Sequence, residues 1–366
     1  MISDVAVIGG GIAGAAACLR LAQENVRPLW ICRDRPDGDK PGESLSPAAR
    51  PLLQSLGCSD LLEEARHRPG HSLFSAWSSE RLTERSSIVH LEGAGTVIDR
   101  PGFEQQLFQR VLEHGVHLVE GTLAEARPDG DGWELTVDDT LHRTGFVIDA
   151  SGRAAVMARN QAQRFRADQL CALYAFLSQA PGSQVEPTRA TLIEAASGGW
   201  WYAALLADGR LTLNYYTDSD LLPAGATAEP DLFARLLAET QYVNRWVEEA
   251  GFLLEQSPAL ASAATTWIAP AAGDNWAAAG DAAAAFDPLS SHGMTTALWT
   301  GIEAANCFLA EAGPGRAQAC SGYAARIADG MQSFLTTRAG IYGQVSEKHA
   351  GRQFWRRRTS LQHPQL

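Results

Sequence analysis

The sequence predicts an α/β protein that combines a parallel-sheet domain with a second, mostly antiparallel β-sheet domain and with C-terminal helices. The apolar run 5–8, a glycine turn and an alanine-rich amphipathic stretch at 14–24 predict a strand, a turn and a helix. The apolar run 29–32 supplies the next buried strand and completes a β-α-β unit of about thirty residues. Residues 170–217 alternate in strand fashion through four segments, which predicts an antiparallel sheet.

The other predicted helices and strands indicate that the parallel-sheet domain is discontinuous in sequence. We predict helices over 47–65, 102–113 and about 293–310, and strands within 71–98 and over 116–119, 133–137, 145–150 and 276–279. The predicted nucleotide-binding domain comprises residues 1–70, 96–165 and 262–310, the second, substrate domain comprises residues 71–95 and 166–261, and a helical segment comprises residues 311–366.

Composition is that of an ordinary globular protein. The 366 residues are 45 % apolar and 20 % charged, which is enough for two domains with a normal buried core. The net charge of −12 argues against a nucleic-acid partner, because such binding depends on clustered Lys and Arg. The one basic cluster, at residues 356–358, is expected to be a solvated helix end.

We expect a cytoplasmic protein without a membrane partner. The chain enters a strand directly after its first residues, which predicts no signal peptide, and no apolar stretch is long enough to cross a bilayer. The cysteines form no C-x-x-C pair, so neither a metal site nor a disulfide framework is predicted. They are Cys18, Cys32, Cys58, Cys171, Cys307 and Cys320.

The glycine turn after the first strand has the spacing of a dinucleotide fingerprint in a Rossmann-type domain. Gly9, Gly11 and Gly14 allow a tight turn, a close approach of the backbone to a diphosphate and close packing of the helix on the strand. This frame expects an acidic residue at the end of the second strand to bind the ribose, but Cys32 stands there. Asp34 and Arg33 are the candidates for the missing contact.

A second segment predicts where a flavin would bind. Asp281, after Gly280 at the end of a buried strand, can accept a hydrogen bond from a ribityl hydroxyl. A loop containing Pro288 leads to a helix that starts at Gly293 and Met294. The N-terminal N–H groups and the positive dipole end of this helix would face the N1 and C2 carbonyl of the flavin.

These segments resemble the flavin-binding signatures of the para-hydroxybenzoate-hydroxylase-like superfamily. The resemblance implies FAD as the cofactor, held in a glutathione-reductase-like FAD-binding domain. The Gly-Glu-Ser loop at 42–47 is similar to a loop of flavin-dependent halogenases, and Asp99-Arg100 is similar to the place where those enzymes put an arginine on FAD. We accordingly predict Ser44, Arg100 and Leu123 as further cofactor contacts.

A narrower resemblance is to the flavoproteins that partner quinone-cofactor lysine, glycine and amine oxidases, in which a tryptophan of the target protein is oxidised to a tryptophylquinone. It covers nearly the whole chain. It implies an aromatic or amino-acid-like substrate, either a small molecule or a group carried by a protein or peptide, with a tryptophan side chain or indole as the leading expectation. The stretches that carry it are residues 42–47, 75–79, 199–202 and 286–291.

Halogenation is disfavoured because lysine is scarce. A flavin halogenase needs a lysine beyond its Gly-Glu loop to capture or direct hypohalous acid, and the matching window 71–81 contains none. Lys40 and Lys348 are the only lysines, and neither occupies that position. The Trp-x-Trp-x-Ile-Pro motif of halogenases is also missing, since Trp-Trp-Tyr runs through the related strand at 200–202.

We therefore predict an FAD-dependent monooxygenase, a hydroxylase that uses O2 and electrons from NAD(P)H. No second glycine fingerprint is present, so NAD(P)H would bind transiently or act through a separate flavin reductase. The alternatives left open are a flavin dehydrogenase or oxidase, a natural-product halogenase, and a flavin-binding partner protein that is not an enzyme.

The predicted catalytic residues lie near the expected flavin loops. His292, beside the helix that starts at Gly293, is the first candidate for an acid or base, and His71 is a second. Glu43 in the 42–47 loop is a further candidate. Trp201 is expected to wall a dry cavity together with Trp77, Trp200 and Tyr202, because oxygen transfer requires water to be excluded.

Overall fold

The computed structural model describes residues 2–33, 38–63, 66–70, 72–86 and 94–359, and these confirm the predicted α/β fold class. The strands, in chain order, are β1 (Ile2–Ile8), β2 (Leu29–Cys32), β3 (Ser44–Leu45), β4 (Arg68–Gly70), β5 (Ser72–Ala76), β6 (Thr83–Ser86), β7 (Gly95–Val97), β8 (His117–Glu120), β9 (Leu123–Asp129), β10 (Gly132–Val137), β11 (Thr140–Asp149), β12 (Gln163–Arg166), β13 (Leu170–Gln179), β14 (Thr191–Ala196), β15 (Gly199–Leu205), β16 (Leu211–Asp218), β17 (Phe252–Leu253), β18 (Ala259–Ser262), β19 (Thr266–Ala269), β20 (Ala272–Gly273), β21 (Trp276–Ala278) and β22 (Ala284–Ala285). The α-helices are α1 (Ile12–Gln23), α2 (Ala49–Ser55), α3 (Arg100–Glu113), α4 (Pro230–Leu237), α5 (Tyr242–Glu249), α6 (Gly293–Leu309), α7 (Pro314–Gly343), α8 (Glu347–Ala350) and α9 (Gln353–Thr359).

The nucleotide sheet has the strand order β20-β21-β11-β1-β2-β8, and β10 and β9 extend it from β11. The central pairs, β21 with β11, β11 with β1, β1 with β2 and β2 with β8, are parallel. Helix α1 connects β1 to β2, as the β-α-β pattern predicts. Its alanines allow close packing on α6, where a Cβ on Gly301 would lie 2.3 Å from the carbonyl oxygen of Ala13.

Two glycines of the fingerprint are required by the tight turn between β1 and α1. Gly9 has a φ of +113°, and a Cβ there would lie 2.2 Å from the carbonyl oxygen of Ala150 at the end of β11. A Cβ on Gly14 would lie 2.0 Å from the carbonyl oxygen of Gly9. A side chain at either position would therefore push α1 away from the ends of the two central strands.

The second sheet has the order β17-β13-β16-β15-β14-β5-β6, with β18 also paired to β13. All of its pairs are antiparallel except β14 with β5, which agrees with the prediction of a mostly antiparallel sheet. Helices α4 and α5, which the sequence analysis did not predict, cover one face of this sheet with an apolar core. Residues of the C-terminal helices pack on the opposite face. The exact domain boundaries stay a prediction.

Several predicted elements differ from the observed ones at their ends. The helix predicted over 47–65 is interrupted: α2 ends at Ser55, Gly57 has a φ of +69°, and a short 3-10 helix follows at Ser59–Leu62. Helix α3 begins two residues earlier than predicted, because the Asp99 side chain accepts a hydrogen bond from the backbone N–H of Gly102 and caps the helix.

The expectation of a solvated basic helix end at residues 356–358 agrees with the exposed Arg356 but is wrong for Arg358. Arg358 is buried, and its guanidinium contacts the carboxylate of Asp218. Arg357 contacts Asp218 and Asp220. The basic cluster therefore attaches α9 to the end of β16. Among the described helices, none is both long enough and apolar enough to cross a membrane.

Candidate active site

A cavity of about 530 Å³ is lined by strand residues of the second sheet and by segments that follow strands of the nucleotide sheet. This volume lies within the range of cofactor and ligand sites. Most of the predicted cofactor residues line this cavity. The predicted site residues that line it are Gly11, Glu43, Ser44, Arg100, Gly280, Asp281, Pro288, Gly293 and Met294.

The N-terminus of α1 forms one end of the cavity. A Cβ added to Gly11 would meet no atom within 4 Å, so open space lies directly in front of the first turn of α1. That turn contains no acidic side chain, and the first N–H groups of a helix have no partner within the helix. Open space, free N–H groups and a positive dipole end together fit a diphosphate.

A charged pair marks the next part of the wall. Asp281 follows β21, as predicted, and its carboxylate lies 3.3 Å from the guanidinium of Arg153. Gly280 has a φ of +60° and comes close to α1, where a Cβ would lie 2.9 Å from the Cβ of Ala13. This geometry holds the Asp281 carboxylate at the cavity, where it can accept a hydrogen bond from a ribityl hydroxyl.

The N-terminus of α6 forms the far end of the cavity. Gly293 begins this helix, and a Cβ there would again meet no atom within 4 Å. Met294 and Pro288 complete this part of the wall. The open space before a helix N-terminus fits the polar N1 and C2 edge of an isoalloxazine ring.

Glu43 is a buried carboxyl group in the wall. Its Oε2 accepts a hydrogen bond from the backbone N–H of Gly42 at 3.0 Å. The hydroxyl of Tyr202 lies beside this carboxyl group, in a contact too loose to be a well-formed hydrogen bond. Burial raises the pKa of Glu43, and Tyr202 and Arg100 offset only part of that rise. Burial and the neighbouring Glu43 carboxylate raise the pKa of Tyr202 well above its usual value.

Lys40 also lines the cavity, although it precedes the Gly-Glu-Ser loop and does not occupy the sequence position of the halogenase lysine. Its Nζ lies 3.1 Å from Oε2 of Glu104, and Oε1 of the same carboxylate accepts a hydrogen bond from Nε of Arg100 at 2.9 Å. Burial would raise the pKa of Glu104, but Arg100 and Lys40 together lower it. The segment before the Gly-Glu-Ser loop folds back onto α3, a contact that no local pattern in the sequence indicates.

Aromatic side chains of the second sheet form the opposite wall. Trp200 stacks on Tyr216 at a centroid distance of 4.1 Å, and Tyr202 and Tyr174 lie on the same wall. Trp77 is not in this wall: it packs behind Trp200, with the two rings 6.1 Å apart. The wall is aromatic, although Trp200 and Tyr216 each present only a small face to the space that α6 and the Pro288 loop bound.

The predicted catalytic position of Trp201 is wrong. Neighbouring residues of a strand point to opposite faces of a sheet. Trp200 faces the cavity, and so Trp201 faces the core beneath α4. There Trp201 stacks on Tyr215 at 4.9 Å and meets Phe233 edge-on at 5.3 Å. Its ring is completely buried and contributes nothing to the cavity wall.

Other predicted site residues lie elsewhere. His292 is exposed and borders a second cavity of about 410 Å³ on the other side of the 286–292 loop, so its catalytic role stays a prediction. Arg33 is exposed at the end of β2, and Leu123 opens β9 opposite Val137. Neither of the two lines the main cavity. Asp34 and His71 lie outside the described residues.

No metal cluster is found in the described part of the chain, where no group of three or more His, Cys, Asp or Glu side chains could hold a metal ion. The chemistry of the donors in the cavity is instead that of a dinucleotide site. The open N-terminus of α1, the Asp281 strand end and the open N-terminus of α6 fit the diphosphate, ribityl and isoalloxazine parts of FAD in that order. Fold and site together have the features of an FAD-binding protein with a Rossmann-type domain.

Comparisons with known proteins agree with this class. The chain is 26 % identical over 377 residues to the putative FAD-dependent oxidoreductase LodB of Marinomonas mediterranea, with 98 % of each chain covered. Other curated relatives are a flavin-dependent halogenase of Armillaria mellea and a brominase of Pseudoalteromonas luteoviolacea. No family model matches the sequence.

Two solved structures are similar over the whole fold. One is the peptidyl tryptophan dihydroxylase QhpG, essential for tryptophylquinone cofactor biogenesis, with a TM-score of 0.80, 25 % identity and coverage of 100 % of this chain and 80 % of that one. The other is the myxobacterial chondrochloren halogenase CndH, with a TM-score of 0.86, 18 % identity and coverage of 98 % and 86 %. The predicted resemblance to tryptophylquinone-maturation flavoproteins is confirmed, and the chain is an enzyme of the oxidoreductase type.

Proposed function

We propose that the protein is an FAD-dependent monooxygenase that hydroxylates an aromatic ring, and that the ring is the indole of a tryptophan in a protein or peptide. The observation that carries this proposal is the stacked aromatic wall of Trp200 and Tyr216, which faces the candidate flavin loop and the N-terminus of α6 across one cavity. Reduced FAD, when bound, supplies the activation of O2. An aromatic C–H bond, O2, NAD(P)H and one proton would give a C–OH bond, NAD(P)⁺ and one water.

The aromatic wall would hold the substrate ring and exclude water. Trp200 and Tyr216 are almost completely buried in the fold, so each presents only a small face to the cavity. Stacked and edge-to-face aromatic pairs contribute about 0.5–1.5 kcal/mol beyond the burial of their area. A flat indole fits this wall better than an aliphatic side chain does.

Glu43 would handle the proton that the ring carbon loses. Its carboxyl group lies in the cavity wall, and burial raises its pKa, which makes its carboxylate a stronger base. The hydrogen bond from the backbone N–H of Gly42 would orient the carboxylate. Arg100, which favours the ionised form of Glu43, would keep part of the population ready to accept a proton.

The names of the relatives favour a substrate carried by a larger molecule. QhpG is a dihydroxylase of peptidyl tryptophan, and another relative is a brominase of a pyrrole bound to a peptidyl carrier protein. NAD(P)H is the proposed source of electrons, either directly or through a separate flavin reductase.

The test is an assay of FAD-loaded protein with NADH, a flavin reductase and a tryptophan-containing peptide. We expect the peptide to gain the mass of one or two oxygen atoms, only in the presence of O2, while a matched peptide with phenylalanine stays unchanged. The proposal fails if the protein does not bind FAD. It also fails if all electrons appear as hydrogen peroxide with every tryptophan peptide tested.

Halogenation is the second candidate function, and the position of Lys40 in the cavity wall favours it. The same assay with bromide present would give a brominated peptide. Lys40→Met should then abolish bromination without abolishing FAD binding. Lys348→Met is the matched control, because Lys348 is the only other lysine and pairs with Glu80 at an exposed site. Hydroxylated product without any brominated product from the wild-type protein, with bromide present, would exclude this candidate.

A further inference from the structure

A continuous chain of buried hydrogen bonds connects the aromatic wall to the candidate flavin loop. The indole Nε1 of Trp200 donates to the hydroxyl of Tyr342 at 3.0 Å. That hydroxyl donates to Oδ2 of Asp287 at 2.9 Å. Asp287 directly precedes Pro288, and both line the cavity. One hydroxyl group therefore links the two sides of the cavity.

Asp287, the acceptor at the end of these hydrogen bonds, is held by Arg338, which lies on helix α7 together with Tyr342. Nε of Arg338 donates to Oδ2 of Asp287 at 3.1 Å, and its other end lies 2.8 Å from the carboxylate of Asp168. Oδ1 of Asp287 accepts from the backbone N–H of Leu289 at 3.0 Å. Both oxygens of the Asp287 carboxylate are thus occupied, and its orientation is fixed from two directions.

Tyr342 is itself packed on all sides. Its side chain is completely buried, and Trp77 and Trp355 lie 5.7 and 5.9 Å from its ring. Arg338 and Arg358 lie over the ring at 5.5 and 5.3 Å. The ring can hardly move, so the hydroxyl occupies a fixed point between the donor Trp200 and the acceptor Asp287.

We propose that Tyr342 is a positioning residue that couples the aromatic wall to the flavin-facing loop. By its two hydrogen bonds it fixes the ring plane of Trp200 relative to the loop at Asp287 and Pro288. The distance between a stacked substrate ring and the flavin would depend on how the Trp200 ring is oriented relative to this loop. The inference deepens the proposed function, since it requires FAD in the cavity, but it does not depend on the identity of the substrate.

The test is a double-mutant cycle on the FAD-loaded protein with Tyr342→Phe and Trp200→Phe. Trp200→Phe removes one hydrogen bond, Tyr342→Phe removes both hydrogen bonds of the hydroxyl, and each change keeps an aromatic ring. The readouts are the FAD dissociation constant and the visible circular dichroism of bound FAD, which senses the geometry around the isoalloxazine ring. Tm is measured alongside to report general destabilisation.

We expect Tyr342→Phe to alter the visible dichroism and to raise the FAD dissociation constant at least about threefold. Trp200→Phe should have a similar effect in the wild-type background, but less than about twofold in the Tyr342→Phe background, because its partner is already lost. Equal factors in both backgrounds would overturn the proposal. So would a Tyr342→Phe variant that changes Tm alone.

Tyr323→Phe is the matched control. Tyr323 lies on the same helix, is equally buried, and donates to the backbone carbonyl oxygen of Ala278 at 2.6 Å without lining the cavity. It should lower Tm and leave the visible dichroism unchanged. If Tyr342→Phe does not fold, Trp200→Phe alone is compared with wild type, and an unchanged visible dichroism with an unchanged FAD dissociation constant would overturn the proposal. A wild-type protein that binds no FAD would overturn the proposed function and this inference together.

Discussion

The guanidinium of Arg358 lies 2.6 Å from the carboxylate of Asp218, and both side chains are buried. The two residues are separated by 140 positions in the chain. Their ion pair holds the last described helix, α9, against the end of strand β16. Phe354 and Trp355 of the same helix fill the apolar cluster behind the aromatic wall of the cavity.

Arg358→Met should destabilise the protein, because it leaves the Asp218 carboxylate buried with Arg357 as its remaining partner. Breaking a buried ion pair costs about 3–5 kcal/mol, and we expect the free energy of unfolding to fall by about 3 kcal/mol in urea denaturation. Arg352→Met, an exposed arginine nearby, is the control and should change it by less than about 0.5 kcal/mol. A loss below about 1 kcal/mol for Arg358→Met would contradict the assignment.

Gly11→Ala and Gly14→Ala should separate cofactor binding from folding. A Cβ at Gly11 points into open space and should lower FAD affinity at least about tenfold while Tm of the FAD-free protein stays nearly constant. A Cβ at Gly14 collides with the backbone of Gly9 and should lower Tm itself. FAD titration and thermal unfolding of both variants test this. Full FAD affinity in Gly11→Ala would show that the diphosphate lies elsewhere.

Glu43→Gln should change both stability and activity in a pH-dependent way. Burial raises the pKa of Glu43 in the folded state. The protonated side chain therefore makes its full contribution to stability below the unfolded-state pKa. This contribution is lost as pH rises through the folded-state pKa. The variant should therefore gain Tm relative to wild type between pH 5 and pH 8 in FAD-free protein. If Glu43 is the base, kcat should fall by about 10²-fold or more, and the wild-type rate should rise with pH.

Glu104→Gln is the opposite-sign control for that measurement. Arg100 and Lys40 lower the pKa of Glu104, so its contribution is present above the unfolded pKa and is lost as pH falls. This variant should lose Tm relative to wild type, and the loss should be larger at pH 8 than at pH 3. The same pH trend in both variants would contradict the two assigned directions.

Trp201→Ala should reduce stability and leave the cavity intact. Trp201 belongs to the core beneath α4, and truncation of a buried tryptophan costs about 3–5 kcal/mol. The FAD dissociation constant of the folded variant should stay within about twofold of wild type. If the FAD dissociation constant changes more than about tenfold while circular dichroism shows an intact fold, Trp201 would have to be assigned to the site after all.

Local sequence patterns predicted the elements that carry several candidate cofactor residues. The positions of Gly11, Asp281 and Gly293 follow from a strand, a turn and a helix that are adjacent in the chain, so the 3.6 and 2.0 residue periods were enough to find them. The predicted helix ends differ from the observed ones where a capping side chain or a glycine with a positive φ determines the end. Asp99 and Gly57 are the two examples.

Contacts between distant segments could not be predicted. Whether Trp200 or Trp201 faces the cavity depends on which face of the sheet α4 and α5 cover, and the sequence pattern does not give that. Lys40 reaches the cavity only because its segment folds onto α3. The basic run at 356–358 was expected in solvent, since its partner Asp218 lies far away in the sequence.

Helix α7 has 30 residues and is therefore about 45 Å long. It contacts the nucleotide sheet through Tyr323, which bonds to β21, and the candidate flavin loop through Tyr342. The number of helical residues between the two tyrosines fixes both their separation and their relative direction around the helix axis. One inserted or deleted residue between them would rotate Tyr342 by about 100° and shift it by about 1.5 Å, so its hydroxyl would no longer face Asp287. Related chains that keep both contacts should therefore vary in the loops at either end of this helix and keep the number of residues between the two tyrosines.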